Sequence, residues 1–152
     1  MMAGKLAATV LALAFCAATM GCETAMTDPQ DGGDEQLTRQ DWVAQTIDGK
    51  PVVNPGKVTL AFVEGRVSGR AGCNLYSGPV EFGKGTIKVG TLISTKMACM
   101  EPGVMQQESA YLNALRSAQR YSIGGDEKLT IDTQSGALVY SGVPKQMRPE
   151  GS

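Results

Sequence analysis

The stretch SGRAGCNLYSG, Ser68 to Gly78, decides how this chain is read, together with its echo STKMACM, Ser94 to Met100. Each holds one cysteine, Cys73 or Cys99, among Gly, Ala, Ser, Thr and Asn. The glycines permit close backbone approach and positive φ, and Asn74 also tolerates the left-handed region. The expectation is a backbone that turns tightly beside a thiol.

Working outward, most of the chain carries the period of strands. Val58, Leu60 and Phe62 alternate with Thr59 and Ala61, as a strand with one buried face requires. Glu64-Gly65 predicts a hairpin turn into Val67. Short runs follow at Val80 and Phe82, Ile87 and Val89, Tyr121 and Ile123, Leu129 and Ile131, and Ala137 to Tyr140. Upstream, Trp42 to Ile47 reads as a strand. Asp48-Gly49-Lys50-Pro51 reads as a turn, and Asn54-Pro55-Gly56 as a break.

One segment departs from this pattern. After Glu101-Pro102-Gly103, the residues Val104, Met105, Tyr111, Leu112, Leu115 and Ala118 recur at three- and four-residue spacing, which predicts a helix of about fifteen residues. Seven or eight short strands and one helix make an α+β domain with a strongly curved antiparallel sheet. On the helix, Glu108 falls in the middle of the apolar stripe and so points at the sheet. A carboxylate there is costly unless paired or hydrogen-bonded. The expected partners are Lys96 as counter-charge, or the amides and side chains around Asn74 and Thr95. Glu108 then either pins the helix to the cysteine segments or serves as a polar binding group at the end of an apolar pocket.

The N-terminus has the layout of a secretory signal peptide over residues 1–21: Lys5, an apolar run from Leu6 to Met20, then Gly21 before Cys22. Cys22 is expected to be the acylated (palmitate-bearing) first residue of a lipoprotein; the alternative is ordinary cleavage near Ala18 with Cys22 left as a thiol. Residues 22–40 are acidic and poor in large apolar side chains, and read as a lipidated N-terminus and flexible tether. A folded domain is expected over 41–143 and a frayed tail over 144–152. Since Glu23 follows Cys22 where an inner-membrane retention signal would have aspartate, the expected location is the periplasmic face of the outer membrane. With Cys22 acylated and Cys16 removed, Cys73 and Cys99 remain, in a compartment that permits oxidation, and a disulfide between them is expected. Two buried thiols are the alternative.

Composition excludes several chemistries. The chain of 152 residues has no histidine, which rules out Ser-His-Asp and Cys-His catalysis and removes the commonest nitrogen ligand of zinc. The first 21 residues carry one charge, Lys5, so the remainder sets 13 Lys and Arg against 15 Asp and Glu. That balance gives no electrostatic case for nucleic acid. Cys73 activated by Lys96 or Glu108 is conceivable as a nucleophile, but an exported domain with two cysteines more often pairs them. The expectation is no catalytic residue, no metal, no cofactor and a monomer.

The motifs Gly72-Cys73-Asn74 with Tyr76 and Gly78, then Thr95-Lys96-Met97-Ala98-Cys99, then Glu108 with Tyr111, Leu112, Ala114 and Leu115, resemble the META domain of heat-shock HslJ-like lipoproteins. The resemblance runs from about Leu37 to Val143, with Lys96 where arginine is more usual. It implies a bent, half-barrel sheet with a packed helix, a place in the cell envelope and an association with stress, but no reaction. Two non-enzymatic functions stand open: binding an envelope protein, and carrying a small apolar ligand between helix and curved sheet.

Overall fold

Alternating side chains produce strands that each bury one face, and the chain's hairpins lay those strands side by side. The computed structural model describes residues 33–145. Its elements are α1 (Gly33–Arg39), β1 (Gln40–Ile47), β2 (Lys50–Pro51), β3 (Thr59–Val63), β4 (Arg66–Arg70), β5 (Leu75–Gly83), β6 (Thr86–Val89) and β7 (Ile93–Ser94). They continue with α2 (Val104–Arg116), β8 (Arg120–Ile123), β9 (Lys128–Asp132) and β10 (Ala137–Pro144). The signal segment, Cys16, Cys22 and residues 146–152 of the tail lie outside the described residues.

The sheet closes on itself. Strands follow the order β10-β9-β8-β6-β5-β4-β3-β1, and β1 pairs back onto β10, so eight antiparallel strands form a barrel, with β2 added beside β1 and β7 beside β5. This corrects the half-barrel: the closing seam is continuous from Gln40↔Pro144 to Ile47↔Leu138. Closure pairs the first strand with the last, which removes two open sheet edges. A bulge at Gln45 shifts the register between Ala44 and Thr46. The extra residue moves the buried face from Trp42 and Ala44 to Ile47, a change of parity that uninterrupted alternation could not give.

Trp42, Leu60, Phe62, Val67, Leu129, Ile131, Leu138 and Tyr140 fill the interior. The two-residue turns Asp48-Gly49 and Glu64-Gly65 have positive φ at both positions, the geometry whose twist matches flanking antiparallel strands. Lys50 and Pro51 therefore belong to a short strand rather than to the turn. Gly69 matters for a different reason: a Cβ there would lie 2.0 Å from the Thr59 carbonyl oxygen, so only glycine lets β3 and β4 approach this closely.

Helix α2 touches β1 and β10 on one side and β6 on the other. Around the ring β6 is four strands from β1 in either direction, so the helix crosses an opening of the barrel. It starts at Val104 after left-handed Gly103 and stops at Arg116, shorter than its apolar period suggests. Ser117 ends it, because its N–H and hydroxyl both donate to the Ala114 carbonyl.

The flexible reading of residues 22–40 is corrected for the described part of that segment, from residue 33 onward. Residues 33–39 are helical, and Leu37 is fully buried. The Trp42 indole N–H donates to the Leu37 carbonyl at 3.0 Å, which ties this turn of helix to the first barrel strand. One leucine, the indole hydrogen bond and a hydrogen bond from Lys145 Nζ to the Thr38 carbonyl at 3.1 Å anchor a segment whose remaining composition is polar.

Candidate functional site

The quoted stretch supplies the end of β4, a four-residue turn from Ala71 to Asn74, and the start of β5. The turn faces the loop that leads from β7 to α2. Cys73 and Cys99 join the two as a disulfide with a Cα–Cα distance of 6.0 Å.

Asn74 is the centre of the polar contacts. It is buried, and so is Glu108. The Asn74 backbone N–H donates to Glu108 Oε2 at 2.7 Å, and its side-chain Nδ2 donates to Glu108 Oε1 at 2.7 Å. Nδ2 also donates to the Met97 carbonyl at 3.1 Å, while Oδ1 accepts from Thr95 Oγ1 and from the Met97 N–H, both at 2.7 Å. Both donors and both acceptors of the amide are thus used. Aspartate at this position would lose the two donors and set a second carboxylate against Glu108. Thr95 extends the network, accepting from the Leu75 N–H at 3.2 Å.

Three of the four polar residues expected here are brought together: Asn74, Thr95 and Glu108. Lys96 is not. Its side chain is exposed, and no ion pair joins it to Glu108. A lysine head keeps its hydration better at the surface than beside a buried group, and Glu108 is satisfied by N–H donors instead. The Met97 backbone, which no side-chain pattern could mark, holds Asn74 in place, and Asn74 rather than a counter-charge faces Glu108. Among the described residues no cluster of His, Cys, Asp or Glu is suited to hold a metal.

One helical turn beyond Glu108, a second buried network crosses the barrel. Tyr76 on β5, Tyr111 on α2 and Tyr140 on β10 are all buried. Tyr140 donates to Tyr111 at 3.2 Å, and Tyr76 donates to the Thr59 carbonyl at 2.9 Å. Since each hydroxyl has one proton, the 2.7 Å contact between Tyr76 and Tyr111 runs from Tyr111 to Tyr76. Burial pushes Tyr111 up to about 12, and burial together with the neighbouring phenols holds Tyr76 and Tyr140 well above the ordinary 10.0. A raised folded value means the folded chain holds protons that the unfolded chain releases, so this stabilisation is complete below pH 10 and is lost as pH rises towards 12. In an alkaline titration, these three phenols are expected to ionise only together with unfolding. Absorbance of more than one phenolate near the ordinary tyrosine value, while circular dichroism stays native, would contradict it, since of the four tyrosines Tyr121 alone is outside this network.

The two networks lie between helix and sheet, where Tyr111 and Leu115 are fully buried. A groove of about 1100 Å³ lies on the outer face of β1, β3, β4, β5 and β7. Its floor is made of small outward side chains: register sets Ala61 beside Ser68, Ser68 beside Ser77, and Thr59 beside Val43. Ile93 and Leu75, 66% and 50% exposed, stand on the β7 side. Val43, Val143 and Lys145 stand on the other. The Asn74 contacts explain the first wall. Thr95 is gripped by Asn74, and its N–H donates to the Leu75 carbonyl at 3.0 Å, so the two cysteine segments fix one side of the groove. Sequence reasoning found the motif residues but not the groove, because outward-facing serines and alanines carry no pattern of their own.

Comparison with known proteins agrees with this architecture. The META domain family model matches residues 35–143. One similar solved structure, an NMR structure of a protein from Burkholderia xenovorans, is 26% identical with a TM-score of 0.61, covering 97% of this chain and all of that one. Another NMR structure is 27% identical with a TM-score of 0.57, covering 70% of this chain and 92% of the other. No curated protein matches the chain.

Proposed function

The chain belongs to the META domain family, and from that premise we propose that it is a cell-envelope lipoprotein that works by binding a protein partner rather than by catalysis. The observation that carries this reading is the outer groove, with apolar side chains exposed on its walls and one wall fixed by the motif residues themselves. Exposed apolar surface of this kind marks interaction sites. Structural roles absorb the groups that might otherwise do chemistry: the cysteines are bonded to each other and Glu108 accepts two hydrogen bonds. Cys22 is the acylation site in this reading, and residues following it give the domain reach from the periplasmic face of the outer membrane. The domain acts as a monomer under envelope stress, without cofactor or nucleic acid.

The test uses the full-length chain in intact cells. A photoreactive residue replaces Ser77 in the groove floor, and in a second strain replaces Lys50 on β2, which does not line the groove. Specific crosslinks from position 77 and none from position 50 are expected. Equal labelling at both, or none at either, would refute partner binding at the groove. In the same cells Cys22→Ala should move the protein from the membrane to the soluble envelope fraction; unchanged membrane association without lipid on the N-terminal peptide would refute the anchor.

A further inference from the structure

The dimensions and charge of the groove narrow the kind of partner. From β1 to β7 there are four strand spacings, or about 19 Å measured along the sheet at 4.7–4.9 Å each. The small residues Ala61, Ser68 and Ser77 form one row across the three central strands that ends at Ile93 on β7, with the paired Arg70 and Leu75 in the row on one side and Val63, Arg66 and Pro79 in the row on the other. The trough therefore runs across the strands, between flanking rows about 13 Å apart at roughly 3.3 Å per residue. A helix with its side chains is about 10–12 Å across, which fits between these rows. A lone extended peptide is little more than one strand spacing wide and would leave most of the floor wet. The volume of about 1100 Å³ also exceeds the usual 300–1,000 Å³ of a small-molecule pocket.

Charge supplies the second constraint. Arg70 and Lys145 line the groove, and Arg66 reaches its floor by donating to Ser77 Oγ at 3.3 Å. Asp41 is the acid among the lining residues. This local excess of cations sits on a chain whose total charge is −1. Such an arrangement favours an acidic flank on whatever enters.

Resting on the partner-binding reading above, we propose that the groove receives an amphipathic α-helix of a partner protein. The apolar stripe of that helix meets the Ala61, Ser68 and Ser77 floor between Ile93 and Val43, and Asp or Glu on its flanks faces Arg66, Arg70 and Lys145. Helix-in-groove recognition reads apolar anchors at three- and four-residue spacing, and small floor side chains let the helix backbone come close.

Three fluorescent synthetic peptides of equal length distinguish the alternatives, with the disulfide-bonded full chain as receptor. One has leucines at helical spacing flanked by glutamates, one has the same leucines flanked by lysines, and one places leucine and glutamate at alternate positions. Saturable binding of the first is expected, at least about tenfold tighter than either other, since one such factor is about 1.4 kcal/mol. Ser68→Trp should abolish it. The pair Arg70→Glu and Lys145→Glu should weaken it several-fold and reduce its salt dependence, while Lys50→Glu should not. Each variant's thermal midpoint is measured first, and Ala61→Trp replaces Ser68→Trp if the latter fails to fold. Preference for the alternating or the basic peptide overturns the proposal, as does saturable binding of oleate with no peptide bound, or no binding at all. Crosslinks from position 77 would still stand in those cases, so loss of the helix reading is separable from loss of partner binding.

Discussion

Removing the Cys73–Cys99 bond is expected to lower stability by about 3.5 kcal/mol, the chain-entropy value for a loop of 26 residues. With a typical urea slope of about 2 kcal/mol/M, the unfolding midpoint of the Cys73→Ser, Cys99→Ser double variant should fall by roughly 1.5–2 M. The bond joins the Ala71–Asn74 turn to the loop before α2, and Cys73 is buried, so its loss also loosens the groove wall at Ile93 and Thr95. The double variant should therefore lose crosslinking at position 77 under conditions where it remains folded. Intact mass before and after reduction checks the premise. Two free thiols in the untreated protein, or a midpoint unmoved by substitution, would defeat this prediction.

How far the fold could be read follows from which interactions are local. The alternations at Val58–Phe62 and Leu129–Ile131, the hairpin at Glu64-Gly65 and the helix beginning at Val104 all arise within a few residues, and all are present. Closure of the barrel is different. It depends on pairing Asp41 with Val143 and Ala44 with Tyr140, about a hundred residues apart, and nothing in either strand names the other. The bulge at Gln45 is equally silent, because it becomes visible only as the parity change between Ala44 and Ile47. Helix α1 escaped for the opposite reason: a segment of acidic and polar residues is held by Leu37, the Trp42 indole and a hydrogen bond from Lys145 to the Thr38 carbonyl. At the site, Glu108 was legible since charge in an apolar stripe demands a partner. Of the partners expected for it, Asn74 makes the contact and Lys96 does not, and the Met97 main chain that holds Asn74 carries no side-chain signal. The tyrosine chain was hidden in the same way. Its members come from three distant elements, and each reads alone as an ordinary core aromatic.

Glu108→Ala is expected to destabilise the domain by about 2–3 kcal/mol. The carboxylate accepts two hydrogen bonds from Asn74, one on each oxygen, and bonds to charged groups contribute about 1.5–3 kcal/mol each. Against that stands the cost of burying an ion with no cation beside it, which the substitution relieves. Had Lys96 been the partner, truncation would have stranded a buried charge at about 3–5 kcal/mol. What it strands instead is the neutral Asn74 N–H, since Asn74 Nδ2 keeps the Met97 carbonyl. Glu108→Gln separates shape from charge. One amide oxygen can still accept from Asn74, but the amide nitrogen then faces a donor, so the loss should fall between wild type and alanine. The two predictions are also coupled. Disulfide and carboxylate act on the same turn, so in the cysteine double variant Glu108→Ala should cost about 0.5–2 kcal/mol less than in the intact domain. Strict additivity in urea unfolding would show that the two contacts act independently, and that the Asn74 turn holds its shape without help from the bond.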